Sequence, residues 1–87
     1  MQSTRLLQIL ISDDEFVFLK SFLEQNDFPT DILVLSNPCK LVLDEEMAIN
    51  LRECLISNIY IYFDINYELT KEGRIAESLI DAIYDAV

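Results

Sequence analysis

The last fifth of the chain reads LTKEGRIAESLIDAIYDAV, from Leu69 to Val87, and its pattern decides much of the fold. At roughly 100° per residue, its apolar side chains fall on one continuous side of a helix. Thr70 precedes this pattern and is a residue type that caps helix N-termini. The wide apolar side must be covered by other elements, and it consists of Ile75, Ala76, Leu79, Ile80, Ala82, Ile83, Ala86 and Val87.

The opposite side of this predicted helix is mostly acidic. Glu77, Asp81 and Asp85 recur every four residues, a spacing at which like charges repel on a helix. Asp81 and Asp85 also lie near the negative end of the helix dipole, and Lys71 lies near its positive end. Packing must therefore hold this helix. The three carboxylates are either a solvated face that maintains solubility or, as a sharper hypothesis, a docking surface for a basic partner.

Length and composition predict one ordered domain over residues 1–87. The chain has 87 residues, 52% of them hydrophobic, with only one glycine and two prolines. A chain of this size can bury about 60–65% of its unfolded surface. Because no linker, repeat or low-complexity tract interrupts the sequence, we expect a single hydrophobic core.

The charge balance narrows the class of partner. Sixteen acidic and six basic residues give a net charge of −10, which opposes binding to nucleic acid or anionic lipid and favours basic proteins. No apolar run is long enough to span a membrane, and no cleavable signal pattern is visible. The sequence therefore predicts a cytoplasmic protein with a protein partner.

The first third of the chain predicts a strand followed by a helix. Residues 4–11, TRLLQILI, are aliphatic and β-branched and favour a strand. Ser12 and Glu15 then have the spacing of a capping box, with Ile11 and Phe16 placed as a hydrophobic staple. The helix is expected to end near Asn26, because Pro29 excludes helical backbone at the preceding residue.

Two short aliphatic runs in the middle of the chain predict two further strands, residues 32–35 and 41–43. The short connection containing Pro38 suits an antiparallel hairpin. The strand, helix and strand over residues 4–35 suit a parallel crossover. We therefore expect a small mixed sheet.

A middle helix is predicted after Asp44, which is a good N-cap, with Glu45 and Glu46 in its first turn. It has one apolar stripe of Met47, Leu51, Cys54, Leu55 and Tyr62, and a second stripe of Ile49, Ile56 and Tyr60. A helix that is apolar on two sides must contact two surfaces. The second stripe contacts either the last helix or another subunit, and we predict a homodimer through it.

Residues 58–63, NIYIYF, are compatible with a strand as well as a helix, because they are aromatic and β-branched. We expect the middle helix to continue to about Tyr62, because its first stripe runs on without a break. The predicted fold is therefore α+β, in the order β-α-β-β-α-α. Its expected core consists of Leu7, Ile9, Phe16, Leu19, Leu23, Ile32, Val34, Leu51, Leu55, Ile59, Leu79 and Ile83.

The C-terminal quarter also carries a pattern of its own, FDxNYExTxEGxxxExLID over residues 63–81. It resembles the C-terminal signature of small uncharacterised bacterial proteins. The resemblance implies a bacterial origin and no particular activity. Within it, Gly73 stands in a first helical turn, where glycine costs about 1 kcal/mol relative to alanine. We expect a close neighbour there, with Tyr67 as the candidate.

A second resemblance suggests a remote alternative. Residues 10–15, LISDDE, are similar to the first strand and acidic pair of two-component receiver domains, and residues 31–36, DILVLS, to their phosphoacceptor strand. This would imply a signalling domain built from alternating strands and helices. Ser36 stands where the phosphoacceptor aspartate should be, so the domain would be degenerate. A capping box followed by an ordinary strand explains the same residues.

The sequence contains no pattern typical of catalysis. It has no histidine, which removes the commonest general base and metal ligand. The carboxylate pairs Asp13/Asp14 and Glu45/Glu46 fall in first helical turns, where the helix dipole explains them. Cys39 and Cys54 are expected to be free thiols.

We therefore predict a non-enzymatic interaction protein without cofactor or metal. The alternative, equally compatible with the size and charge, is an acidic immunity or inhibitor protein that masks a basic toxin or nuclease.

Overall fold

The computed structural model describes residues 6–62, 66 and 68–87. The elements in chain order are strand β1 (Leu6–Ile11), helix α1 (Asp13–Gln25), a 3-10 turn (Thr30–Ile32), strand β2 (Leu33–Val34), strand β3 (Cys39–Asp44), helix α2 (Glu45–Asn58), a 3-10 segment (Ile59–Tyr62) and helix α3 (Lys71–Ala86). The predicted α+β class and the order β-α-β-β-α-α are confirmed. Residues 4 and 5 of the expected first strand, and Phe63, lie outside the described residues.

The strands form a three-stranded sheet with the order β1-β3-β2. β3 is central and pairs antiparallel with both neighbours, over six residue pairs from Leu6↔Asp44 to Ile11↔Cys39 on the β1 side. The expected mixed sheet is therefore wrong. β1 and β2 do run in the same direction, as a crossover requires, but β3 lies between them.

The length and burial of β3 explain why it lies between β1 and β2. The run predicted as residues 41–43 extends to Cys39–Asp44, and its alternate side chains Cys39, Leu41 and Leu43 are at most 2% exposed. β2, in contrast, has only two residues and could not pair extensively with β1. Pairing β1 with the longer strand satisfies more backbone hydrogen bonds.

The core lies between one face of the sheet and the helices. Eight of the twelve predicted core residues are buried: Leu7, Ile9, Leu19, Leu23, Leu51, Leu55, Leu79 and Ile83. Phe16, Ile32 and Ile59 are only partly buried, and Val34 is exposed because β2 turns it to the other face of the sheet. Ala76, which the sequence places on the covered side of the last helix, is buried although it was not in the expected core. Six further buried residues were also outside the expected core: Ile11, Phe22, Cys39, Leu41, Leu43 and Ala48.

Helix α1 begins and ends as its sequence requires. The Glu15 amide donates to Ser12 Oγ at 3.1 Å and the Ser12 amide donates to Glu15 Oε1 at 2.8 Å, which confirms the capping box. At the other end, Asp27 takes a left-handed conformation with φ 59°, and the Phe28 amide donates to the Leu23 carbonyl at 2.9 Å. This is the pattern of a Schellman motif, formed here without glycine.

The junction between the 3-10 segment and α3 explains Gly73. The Thr70 amide donates to the Tyr62 carbonyl at 2.8 Å, which draws the two segments together. A Cβ on Gly73 would lie 3.0 Å from Tyr62 Cβ and 2.8 Å from Leu69 Cδ2. The expected close neighbour is therefore present as Tyr62, whereas the candidate Tyr67 lies outside the described residues.

Candidate interaction surfaces

The acidic face of α3, defined here as Glu77, Asp81 and Asp85, lies in solvent. All three side chains are exposed, whereas Ala76, Leu79 and Ile83 on the opposite side are fully buried against the core. Thr70 caps the helix by accepting a hydrogen bond from the Gly73 amide at 3.2 Å. Burial thus fixes the rotation of α3 and directs the carboxylates outward, as the periodicity predicts.

No described cationic side chain forms an ion pair with the acidic face of α3 in residues 6–62, 66 and 68–87. The last turn of the helix contains no basic residue that would offset its dipole. Arg52 of α2 approaches the C-terminal half of α3, but its guanidinium lies over the ring of Tyr84, 5.4 Å from the centroid. The carboxylates therefore present exposed negative charge that is not paired with a cation among the described residues.

The second stripe of α2 is only partly accessible. Ile56 and Tyr60 are exposed, by 49% and 69%, while Ile49 is half-buried. The 3-10 geometry of residues 59–62 keeps Tyr60 on the outside and adds Ile61 to the exposed apolar surface. The expectation that residues 58–62 are helical rather than extended is confirmed. Part of the stripe therefore faces solvent.

A further apolar surface is the open face of the sheet, on the side away from the helices. Its members alternate with the buried residues of β1 and β3, and the register brings them into rows: Leu6 beside Asp44, Gln8 beside Val42, and Leu10 beside Lys40 and Val34. Leu6 and Leu10 are 65% and 64% exposed. Sequence reasoning did not identify this surface, although a strand that is apolar at nearly every position is a signal for burial on both faces.

Aromatic side chains line a shallow groove between α1 and the start of α3. Phe18 stacks on Phe22 with ring centroids 5.9 Å apart and meets Tyr62 edge-on at 5.6 Å. The groove has a volume of about 290 Å³, and Glu72 lies at its rim. Burial raises the pKa of the Tyr62 hydroxyl, and Coulombic interaction with Cys54 and Glu72 raises it further. The raised pKa makes ionisation of this hydroxyl still less favourable than that of an ordinary tyrosine.

The other candidate groups of the sequence are the two acidic pairs and the two cysteines. Asp13, Asp14, Glu45 and Glu46 lie in the first turns of α1 and α2, as predicted. Both cysteines are free; Cys39 is buried with its Sγ 3.5 Å from Asp13 Oδ1, and Cys54 lies beside Asn26 and Asn58. Within the described part of the chain, no three acidic or thiol side chains are grouped as metal ligands.

The antiparallel sheet also bears on the receiver alternative. Alternating strands and helices form a parallel sheet, and both strand pairings here are antiparallel. Ser36, at the proposed phosphoacceptor position, is exposed in the turn before β3, where its hydroxyl donates to the Pro38 carbonyl at 2.7 Å. The receiver interpretation is therefore wrong in its fold.

No protein-family model, curated protein or solved structure gives a significant match to this chain. None of the helices in the described ranges combines the length and apolar character needed to cross a membrane. The function must therefore be argued from the surfaces themselves.

Proposed function

We propose that this protein is a non-catalytic interaction domain that binds a basic protein through the acidic face of α3. One observation carries the proposal: Glu77, Asp81 and Asp85 are aligned and exposed, and no described cation forms an ion pair with them, on a helix whose other side packs on the core. This arrangement costs folding stability, because like charges four residues apart repel and the last two oppose the helix dipole. A basic partner would offset that repulsion.

The net charge of −10 supports the same class of partner. A strongly negative molecule attracts basic proteins over several ångströms and repels nucleic acid and anionic membranes. Charge complementarity of this kind mainly raises the association rate and selects against wrong partners. The proposed interaction should therefore form quickly and weaken as salt is added.

The test is capture of partners from a host extract by the immobilised protein. Wild type is compared with the double variant Asp81→Lys/Asp85→Lys, and captured proteins are identified by mass spectrometry. We expect the variant to lose one or more basic proteins that wild type retains. The same set of proteins on both columns would refute the acidic face of α3 as the docking surface.

A matched control distinguishes the effect of where the carboxylates lie from the effect of the net charge of the protein. Glu24→Lys/Glu53→Lys changes two exposed carboxylates on α1 and α2 and shifts the net charge by the same amount. We expect this control to capture the same basic proteins as wild type. Equal loss by both double variants would mean that overall charge, and not this face, attracts the partner.

The inhibitor alternative makes a narrower prediction from the same capture. The compact acidic domain would then mask the active surface of a basic toxin or nuclease. The captured protein would be an enzyme whose activity falls on addition of one equivalent of this protein. A captured protein without an inhibited activity would favour the general interaction role.

Self-association through Ile49 and Ile56 of α2 and Tyr60 of the 3-10 segment stays a prediction. The exposure of Ile56 and Tyr60 supports it, and the partial burial of Ile49 reduces the surface it offers. Ile56→Glu should shift a dimer formed through this stripe to monomer in sedimentation experiments.

A further inference from the structure

We propose that the open face of the sheet is the surface through which two copies of this chain associate, face to face. This surface consists of Leu6, Gln8, Leu10, Val34, Lys40, Val42 and Asp44. It is distinct from the acidic face of α3 and does not depend on that proposal.

The open face differs from the rest of the molecule in charge. The chain has a net charge of −10, but this face contains one cation, Lys40, and one carboxylate, Asp44. The face is therefore close to neutral and mostly aliphatic. Such a surface gives a basic partner little to recognise, whereas it can pack against another neutral, aliphatic surface.

The order of side chains along the strands makes this face complementary to itself. Lys40, Val42 and Asp44 follow one another on the open side of β3, so opposite charges flank a central valine. The two-fold axis lies between the two sheets, parallel to them and perpendicular to the strands, at the level of Gln8 and Val42. It makes the two β3 strands antiparallel. Lys40 then lies opposite Asp44 of the partner subunit. Val42 meets Val42 of the partner subunit, and Leu6 meets Leu10 of the partner subunit.

This pairing satisfies the requirement of a two-fold interface that every contact be made twice. Asp44 can retain its capping role in it, because the Met47 amide donates to Oδ1 at 2.7 Å and Oδ2 is left to pair with Lys40 of the partner subunit. Two sheets packed in this way lie about 10 Å apart with interdigitated side chains.

The second stripe of α2 is less suited to the same role. Exposed Glu53 lies between Ile49 and Ile56, and Glu45 and Glu46 are exposed at the start of the helix. A two-fold contact there would bring these carboxylates near their own copies, where like charges repel. The open face has no such conflict.

The size of the face limits the strength of the dimer. β1 and β3 have six residues each and are about 20 Å long, β2 has only two residues, and the three strands together are about 15 Å wide. Such an interface falls at the small end of specific contacts, where association is weak or transient. We therefore expect a dimer that dissociates on dilution.

The salt dependence of association distinguishes this dimer from the complex with a basic partner. Each copy carries a net charge of −10, so the two copies repel as they approach. Added salt shortens the Debye length to about 3 Å at 1 M and removes most of that repulsion. Sedimentation equilibrium of the full chain should show tighter dimerisation in high salt, the opposite of the salt effect on the basic partner. A monomer at near-millimolar protein in high salt would overturn the proposal.

Three single variants test the surface directly. Leu10→Glu should weaken the dimer at least about tenfold, because a leucine that the dimer would bury is lost from both copies. Val17→Glu on α1, which replaces an equally exposed aliphatic residue elsewhere, should leave it unchanged. Ile56→Glu should also leave it unchanged. Dimer loss with Ile56→Glu and not with Leu10→Glu would assign the dimer to α2 and overturn the sheet interface.

Cross-linking gives a second readout, because it covalently traps a dimer that dissociates on dilution. Val42→Cys and Ile56→Cys are compared with a short bis-maleimide reagent, with circular dichroism to verify that each variant folds. We expect covalent dimers from Val42→Cys in excess of those from Ile56→Cys and from wild type. Cross-linking of Val42→Cys no greater than that of wild type would contradict the two-fold arrangement.

Discussion

At Gly73, helix propensity favours alanine, whereas the packing around the residue favours glycine. Alanine is the better helix former by about 1 kcal/mol, yet its Cβ would lie 3.0 Å from Tyr62 Cβ and 3.2 Å from the Tyr62 carbonyl oxygen. Overpacking of this kind typically costs about 1–3 kcal/mol. We predict that Gly73→Ala lowers the free energy of unfolding by about 1 kcal/mol, measured by chemical denaturation.

Ser78→Ala is the control for that substitution, because it lies on the exposed side of the same helix. Helix propensity should make it neutral or slightly stabilising. A Gly73→Ala variant as stable as Ser78→Ala would show that Tyr62 moves away without cost.

Asp27 is the one described non-glycine residue with positive φ, at 59°. A left-handed conformation strains a residue with a Cβ, and glycine relieves that strain at a cost in unfolded-state entropy. Asp27→Gly also removes a carboxylate from the negative end of α1. We predict a gain of about 0.5–1 kcal/mol in the free energy of unfolding. Asp31→Gly, which removes the same charge where φ is not left-handed, should give no gain, and an equal gain would assign the effect to charge alone.

At the scale of elements, α3 was predictable because a period of 3.6 residues sorts its side chains into two faces without ambiguity. The capping box of α1 was also predictable, because Ser12 and Glu15 interact within four residues of each other. The sequence did not predict the pairing of the strands. In LLQILI every residue but Gln8 is apolar, so the alternation that assigns faces is absent, and strand pairing depends on contacts distant in sequence.

The acidic face of α3 makes a prediction about stability at this scale. Replacing Asp81 and Asp85 with asparagine removes two repulsions within the helix, Glu77 with Asp81 and Asp81 with Asp85, and two unfavourable interactions with the helix dipole. We expect the free energy of unfolding to rise by about 1 kcal/mol at low salt, and the gain to shrink as salt is added. Glu24→Gln/Glu53→Gln, with the same net charge, should give a smaller gain. If the control gains as much, general relief of negative charge explains the effect.

At the scale of the whole molecule, the charge of −10 and the neutral sheet face predict two associations with opposite salt dependence. Composition alone predicted the first, because net charge needs no knowledge of the fold. The second required the register that aligns Lys40, Val42 and Asp44 on one side of β3. A short pattern in the sequence does not specify which side of a central strand remains uncovered.

The central claim is that a basic protein docks on the acidic face of α3, and its most direct test is the association rate of the captured partner as salt is varied. For wild type and for the control Glu24→Lys/Glu53→Lys, the rate constant should be high at low salt and fall steeply as the Debye length drops below about 10 Å. For Asp81→Lys/Asp85→Lys, the rate constant should be lower at low salt and depend less on salt. Equal rates and equal salt dependence for all three proteins would contradict the claim.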